Sequence, residues 1–298
     1  MLRKYFYTVI ISVKKLNALV SLLEDPDEKI FCVIKSLIKA ERIRVLPILE
    51  KIIADNRQDL QQHRAEEICK ELRCEELYKS LDAWKKSDDK DLLNGIITLN
   101  RFHNVHLDDA KVYEKIAEIR RAIWLELNDN QTSFEQVKIF NHVFYEVLGF
   151  QVTQETVPFI ESLDIEKVLE SKIGHPLTVG ILYSILANQL DLPIYGVDFP
   201  YVFVLAWMDD NHLGMLSELD NDYGVLFYIN PTNNGVLFDG QHMTDFLSEM
   251  DIKPQRGFFE PSSNTRILRR YISTYETFCK MNGETETLES MIQLREIL

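Results

Sequence analysis

The character of the sequence changes after Asp191, and this change limits the folds open to the chain. Before it, apolar residues recur at three- and four-residue spacing over long stretches, which is typical of amphipathic helices. After it come short runs rich in aromatic and β-branched residues, which predict strands. These runs are Ile194–Phe199, Val202–Trp207 and Val225–Ile229. Helical spacing returns over Asn264–Met281 and Glu284–Ile297, so the order of elements predicts an α+β fold with a small antiparallel sheet.

The first part of the chain, from about Leu16 to Trp84, is predicted to be helical. Asp25 followed by Pro26 is typical of a helix start, because aspartate caps free N–H groups and proline fits the first helical position. The helix that follows carries apolar residues that we expect on one buried face. They are Ile30, Val33, Ile34, Leu37 and Ile38. A second stretch, with Pro47 near its start, has similar spacing, so we interpret the region as repeat-like.

Residues 85–90, KKSDDK, contain no apolar side chain, which indicates a seam between two domains. We therefore predict a helical, repeat-like domain over 1–88 and a second domain over 89–298. After the seam one apolar helical stripe ends at Gly149, as expected for a glycine C-cap. Its members are Val137, Phe140, Phe144, Val147 and Leu148. A strongly apolar helix follows the segment 174–176.

Charge and hydropathy exclude two classes of partner. The 298-residue chain carries 33 Lys and Arg against 47 Asp and Glu, a net charge of −14. A chain this acidic repels phosphate backbones, so we expect no nucleic-acid partner. No run approaches about 18 uninterrupted apolar residues, so the sequence predicts no membrane span and no membrane partner.

The start of the chain and its cysteines indicate the compartment. A charged and then apolar stretch over residues 3–13 resembles a signal peptide, but two lysines follow at once and no cleavage site of small residues is present. We expect a short N-terminal segment and a cytoplasmic protein. Of the four cysteines only Cys69 and Cys74 are close in sequence, which is not a disulfide framework. We expect reduced thiols.

Several short motifs occur in a fixed order over about residues 92–280. The most informative are residues 174–183, GHPLTVGILY, and residues 192–197, LPIYGV. Others lie at 140–150, 199–204, 229–235 and 264–270. In these residues the chain resembles the bacterial SirB-type branch of the transglutaminase-like superfamily. The helical N-terminal part is similar to an extension that some members carry.

The resemblance implies a papain-like core in which one central helix packs on an antiparallel sheet. Active members of the superfamily use a Cys at the start of that helix, a His on a following strand and an Asp on the next. The resemblance places these positions at Pro176, Val202 and Asn230, none of which can perform the corresponding step. In addition, no cysteine lies between Cys74 and Cys279, so no shift of alignment restores a thiol.

Other clusters of functional residue types are better explained as structure. Asp108, near His103 and His106, is interpreted as a helix N-cap rather than a metal ligand. Cys69 and Cys74 lie about 140° apart around one helix and do not converge on a metal. Residues 220–224 resemble part of a calcium-binding loop, but the bidentate glutamate that such a loop carries further along the chain is absent. We expect no metal and no cofactor.

The interpretation that follows is a non-catalytic protein, with no catalytic residue, that binds a protein or peptide. The alternative is a hydrolase or acyltransferase rebuilt in the same cleft, with His175 or His212 as base and the Thr178 or Ser171 hydroxyl as nucleophile. A third reading is a structural subunit of an assembly. The aromatic residues of the strands are interpreted as core.

Overall fold

The structure is a computed structural model that describes residues 13–55, 58–153, 160–208 and 223–298. It divides into two compact units, Met1–Lys79 and Ser80–Leu298. The domain boundary after residue 88 stays a prediction. His212 and the acidic stretch 209–222 lie outside the described residues, as do residues 1–12. Among the described helices, none combines the length and apolarity needed to cross a bilayer.

The smaller unit is helical. Its helices are α1 (Val13–Ser21), α2 (Glu28–Ala40), α3 (Leu46–Ala54) and α4 (Leu60–Lys86), which continues beyond the unit, with 3₁₀ turns at Leu22–Glu24 and Arg42–Val45. Helix α2 begins at Glu28 because the Asp27 side chain accepts the Lys29 N–H, so the start predicted at Asp25 lies too early. The repeat-like character of this unit stays a prediction.

The face of α2 that packs into the core differs from the predicted one. Phe31, Ile34 and Ile38 are buried together with residues of α1, α3 and α4, whereas Ile30, Val33 and Leu37 are exposed. About two thirds of the residues in this helix are apolar, so their spacing alone does not predict which face packs into the core. Outside the core, Lys35 and Lys39 of α2 pair with Glu71 of α4 at 2.6 and 2.8 Å.

The larger unit contains the remaining elements. Its helices are α5 (Leu92–Asn100), α6 (Asp109–Trp124), α7 (Ser133–Asn141), α8 (Ile160–Leu163), α9 (Ile165–Ser171), α10 (Pro176–Asn188), α11 (Gly240–Glu249), α12 (Asn264–Asn282) and α13 (Thr285–Ile297). Short 3₁₀ turns lie at Pro231–Asn233 and Arg256–Phe258. Asp108 caps α6 by accepting the Lys111 N–H, as predicted.

Strands of the larger unit form two sheets. Strands β1 (Gln151–Val152) and β2 (Ile173–Gly174) form a parallel pair, and the main sheet consists of β3 (Ile194–Asp198), β4 (Phe203–Met208), β5 (Val225–Asn230) and β6 (Val236–Phe238). The main sheet is antiparallel in the order β3-β4-β5-β6. The sequence predicted the first three strands of this sheet but not β6. The α+β prediction is confirmed.

Helix α10 is the central element of the larger unit. Every position from Leu177 to Ala187 is buried, and the helix packs against β3, β4 and the turn after β5. The opposite face of the sheet is covered by α11 through Met243 and Leu247, which pack with Val204 and Ala206 of β4. The sheet therefore lies between α10 and α11.

The stripe predicted to end at Gly149 is interrupted by a change of helical pitch. Helix α7 continues as a π-helix over His142–Val147, so the wider turn rotates Val147 to the surface while Phe140 and Phe144 stay buried. Gly149 follows at φ +76°, a conformation that favours glycine. A strict three-four pattern does not anticipate this insertion.

Candidate functional site

The N-terminus of α10 is capped by the residues at its own start. Pro176 occupies the first turn, where its fixed φ suits a helix start. Before it, His175 caps the helix: its Nδ1 accepts the Leu177 N–H at 3.2 Å, and its backbone N–H donates to the Ser162 carbonyl oxygen at 2.8 Å. Pro176 has no side-chain heteroatom, so this helix start presents no nucleophile at the position that the family resemblance assigns to one.

His175 is held in its neutral form. Burial, together with the nearby positive charge of Arg270, lowers the pKa of His175 to about 4. Because Nδ1 accepts a hydrogen bond, the neutral ring carries its proton on Nε2. The ring nitrogen that could accept a proton is therefore already engaged in capping the helix.

The hydroxyl groups proposed as substitute nucleophiles have backbone partners. Thr178 is 1% exposed, and its Oγ1 donates to the Leu163 carbonyl oxygen at 3.5 Å. Ser171 Oγ lies 2.8 Å from the Lys167 carbonyl oxygen. In the described part of the chain neither hydroxyl is hydrogen bonded to His175, so the structure does not join these residues into a nucleophile and base.

Val202 lies in the hairpin between β3 and β4, one residue before the strand that was predicted to contain it. Its side chain packs with the hydrophobic cluster on the α11 face of the sheet. Phe203, the next residue, points instead toward α10: a Cβ added to Gly180 would lie 2.6 Å from its ring, and one added to Gly196 would lie 2.5 Å from it. The space between α10 and the sheet is thus filled by Phe203.

Asn230 ends β5 and organises the turn that follows. Its Oδ1 accepts the Thr232 N–H at 3.0 Å and the Thr232 hydroxyl at 2.5 Å. The turn is held from α7 as well, because Asn141 Nδ2 donates to the Gly235 carbonyl oxygen at 2.8 Å and its Oδ1 accepts from Tyr183 at 3.0 Å. Asn230 is therefore engaged within its own turn rather than with an imidazole.

Sequence reasoning missed a charged cluster beside the helix start. Asp198 at the end of β3 accepts from Arg266 Nε at 2.8 Å and from Arg270 Nη1 at 2.5 Å. Its backbone N–H donates to Ser262 Oγ at 3.0 Å. The signal in the sequence was the four-residue spacing of the two arginines, which puts both on one face of α12.

A buried polar network lies behind α10 and was also missed. Asn100 is fully buried; its Oδ1 accepts the Ile165 N–H at 2.6 Å and its Nδ2 bonds to the Tyr271 hydroxyl at 2.6 Å. Nearby, burial disfavours ionisation of Asp164, but His103 and the amide of Asn104 outweigh it and lower the pKa of Asp164. Asn100 and Tyr271 thus have hydrogen-bond partners, as expected of buried polar groups, whereas the His103 ring lies 3.4 Å from Asp164 Oδ2 without a well-formed hydrogen bond.

Comparison with known proteins identifies the family of this fold. A family model described as the transglutaminase-like superfamily matches residues 110–273. The chain belongs to the transglutaminase-like superfamily. The matched region runs from α6 into α12 and includes Pro176, Val202 and Asn230.

The relatives of this transglutaminase-like chain confirm the predicted resemblance to the SirB-type branch. It is 22% identical to the protein SirB1 of Salmonella typhimurium over 62% of this chain and 65% of that protein. It is 23% identical to the YchA protein of Escherichia coli K12 over 61% and 65%, and 22% identical to a UPF0162 protein of Pasteurella multocida over 58% and 66%. The alignments thus cover slightly under two thirds of these relatives. No solved structure matches the chain.

Two further observations on the larger unit bear on chemistry. Cys279 lies buried in α12, where burial and the charge of Glu284 raise the pKa of its thiol to about 11. Such a thiol is protonated at neutral pH and is a poor nucleophile. Within the described ranges, no group of three or more His, Cys, Asp and Glu side chains is arranged to hold a metal ion.

Proposed function

We propose that this protein is a non-catalytic member of the transglutaminase-like superfamily that acts by binding a protein or peptide partner in the cytoplasm. The observation that carries the proposal is the start of α10. Pro176 stands there without a nucleophilic atom, and the neutral His175 caps the helix. Nucleic acid and anionic membranes are unsuitable partners for a chain of net charge −14.

The positions of the other two residues support the same proposal. Val202 packs on the α11 face of the sheet while the Phe203 ring lies against α10, and Asn230 is bonded within its own turn. A scaffold that keeps its fold while these positions lose their chemistry can still serve recognition, since function depends on the site and not on the fold.

The alternative, a hydrolase or acyltransferase built on His175 and Thr178, has weaker support. It requires a solvent-accessible hydroxyl next to a base that can accept its proton. Thr178 is buried against the Leu163 carbonyl, and His175 Nδ1 is engaged by the Leu177 N–H. The contribution of His212 to this alternative stays a prediction.

The test is an activity screen of the full chain against amide, ester and peptide substrates, with a fluorophosphonate probe for reactive hydroxyls and a cysteine protease run in parallel as positive control. We expect no turnover above buffer and no covalent label. The matched variants are His175→Asn, which keeps a capping acceptor, Thr178→Val, which keeps the side-chain shape, and His212→Asn. Turnover or labelling that any of these variants abolishes would replace the proposal with the alternative.

A further inference from the structure

A cleft of about 820 Å³ lies in the larger unit, beyond the C-terminal end of α10. Its walls come from the outer face of α6, the loop between α6 and α7, Gln136 near the start of α7, and the turn 189–193 that joins α10 to β3. Helix α10 has 13 residues, which places this turn about 20 Å along the helix from His175. The cleft is therefore separate from the degenerate site, and its volume lies within the range typical of ligand sites.

Helix α6 has two different faces because of its sequence. The inner face is apolar and buried: Val112, Ile116, Ile119 and Ile123. The residues that line the cleft also recur at three- and four-residue spacing, on another side of the same helix. They are Ala117, Arg120, Arg121 and Trp124. The cleft wall is thus a regular helical stripe and not a chance gathering of loop residues.

The charge on this wall is not compensated. Among the residues that the structure describes, neither Arg120 nor Arg121 has a carboxylate partner, although both belong to a strongly acidic chain. Arg101, Arg256, Arg266, Arg270 and Arg295 of the same unit are paired, and Arg269 on α12 is the one further described arginine of this unit without a carboxylate partner. Two unpaired guanidinium groups side by side favour a ligand that carries carboxylates.

Trp124 adds apolar surface to the same wall. It is 64% exposed, and within the described ranges its ring stacks on no other aromatic ring. Tryptophan and arginine are among the residue types that contribute most binding energy at protein interfaces. The wall therefore favours a ligand with a large apolar side chain next to its negative charge.

The remaining lining residues favour a peptide over a small anion. Gln136 and Gln189 have amide side chains with no hydrogen bond to the described residues, and an amide offers the donor and acceptor that a peptide backbone needs. Asp129 and Asp191 line the cleft from the loop and the turn. They repel negative charge there, so the carboxylates of a ligand are directed to the α6 wall.

We propose that this cleft binds a segment of a partner protein in which acidic residues neighbour a large apolar side chain. The inference rests on the proposed binding function and gives it a location and a partner chemistry. The contacts would be ion pairs to Arg120 and Arg121, apolar contact with Trp124, and backbone hydrogen bonds to the two glutamines.

The experiment is a selection from a random-peptide display library with the full chain as bait. We expect enriched peptides to contain Asp or Glu beside Leu, Phe or Trp. A synthetic copy of an enriched peptide is then titrated by fluorescence polarisation against Trp124→Ala and the double variant Arg120→Glu/Arg121→Glu. Each should bind about tenfold more weakly or worse. The matched control, Arg269→Glu/Lys280→Glu, makes the same change in net charge on α12 outside the cleft, and should bind within about twofold of the parent.

The outcomes separate this inference from the proposed function. Enriched peptides that are neutral or basic, or acidic peptides that bind equally to the cleft variants and the control, would overturn the cleft assignment while leaving a binding function in place. A library that yields no enriched peptide counts against both. Turnover in the activity screen contradicts only the proposed function. Melting temperatures of all variants show whether a loss of binding is a loss of fold.

Discussion

Arg270 Nη1 lies 2.5 Å from Asp198 Oδ1 and 2.6 Å from the Phe199 carbonyl oxygen, so one guanidinium joins α12 to the end of β3. Both side chains are largely buried, at 18% and 24% exposed. The same guanidinium lies 5.9 Å from the centre of the Phe203 ring and contributes to the low pKa of His175. Arg270 therefore couples the sheet, the filled space beside α10 and the cap of that helix.

Replacing Arg270 tests this coupling. Arg270→Met should lower the free energy of unfolding by about 2–4 kcal/mol, because it leaves the Asp198 carboxylate with one cationic partner in a largely buried place. The same change should raise the pKa of His175, since a nearby positive charge is removed. Denaturant unfolding and an NMR titration of the histidines measure the two effects. Arg269→Met, at the exposed neighbouring position, is the control, and an unchanged His175 titration would contradict the coupling.

Acid should destabilise the protein through His175. Its pKa is about 4 in the folded chain and about 6.5 when unfolded, so the unfolded state binds more protons between these values. The folded state therefore has its full stability above pH 6.5, where His175 is neutral in both states. Between pH 6.5 and 4 the free energy of unfolding should fall by about 2–3 kcal/mol. His175→Asn keeps a capping side chain and should flatten this part of the curve.

The measurement for His175 is the free energy of unfolding at pH 7.5, 5.5 and 4.5 for the parent and the variant. His106→Asn, which removes an exposed histidine of the same unit, serves as the control and should follow the parent. Equal pH dependence in the parent and His175→Asn would contradict the prediction that protonation of His175 destabilises the folded state in this pH range.

The close approach of Phe203 to α10 should make Gly180 intolerant of any side chain. Gly180→Ala is expected to lower the free energy of unfolding by about 1–3 kcal/mol, although alanine is the better helix former, because the new Cβ would lie 2.6 Å from the ring. Gly240→Ala is the control, since a Cβ there meets its nearest atom at 3.8 Å. Adding Phe203→Leu to Gly180→Ala should recover part of the loss, and the absence of any recovery would place the strain elsewhere.

The ion pairs of the smaller unit should depend on salt. Burial opposes ionisation of Glu71, but hydrogen bonds from Lys35 and Lys39 outweigh it and lower the pKa of Glu71. The ionised Glu71 therefore stabilises the folded state at pH values above the pKa that this carboxyl has in the unfolded chain. The stabilisation is lost as the pH falls and acid protonates the carboxylate. Because Glu71 is 37% exposed, Glu71→Gln should cost only about 0.5 kcal/mol.

Thermal unfolding of Glu71→Gln at about 0.05 and 0.5 M salt checks this prediction, with Glu24→Gln at an exposed position as control. The difference between Glu71→Gln and the parent should shrink at the higher salt concentration. A difference independent of salt would mean that Glu71 acts through packing rather than charge.

Local signals predicted much of the fold. Asp108 is followed by a helix whose first N–H groups it caps, and strands β3, β4 and β5 lie within a residue or so of the aromatic and β-branched runs. The parts that failed depend on tertiary context. Spacing could not decide whether Phe31 or Val33 faces the core, since both flanks of α2 are apolar, and it could not anticipate the π-helix that exposes Val147.

The site was less accessible to sequence reasoning. Pro176 and Asn230 lie at the start of the central helix and at the end of β5, where the motifs placed them. The side of the sheet to which Val202 belongs is set by a hairpin that contains Tyr201 at φ +63°, a backbone choice that no motif specifies. The partners of Asp198 lie 68 and 72 residues away, so only the folded chain brings them together.

The placement of Val202 has a consequence for any attempt to install enzymatic activity in this protein. A triple change of Pro176→Cys, Val202→His and Asn230→Asp would supply the missing atoms, yet the new imidazole would project beneath the sheet toward α11, with the Phe203 ring and a β-strand between it and the sulfur. An active site would therefore require a different backbone conformation of the hairpin between β3 and β4 as well as new side chains. Three point substitutions alone would leave the imidazole and the thiol on opposite faces of the sheet.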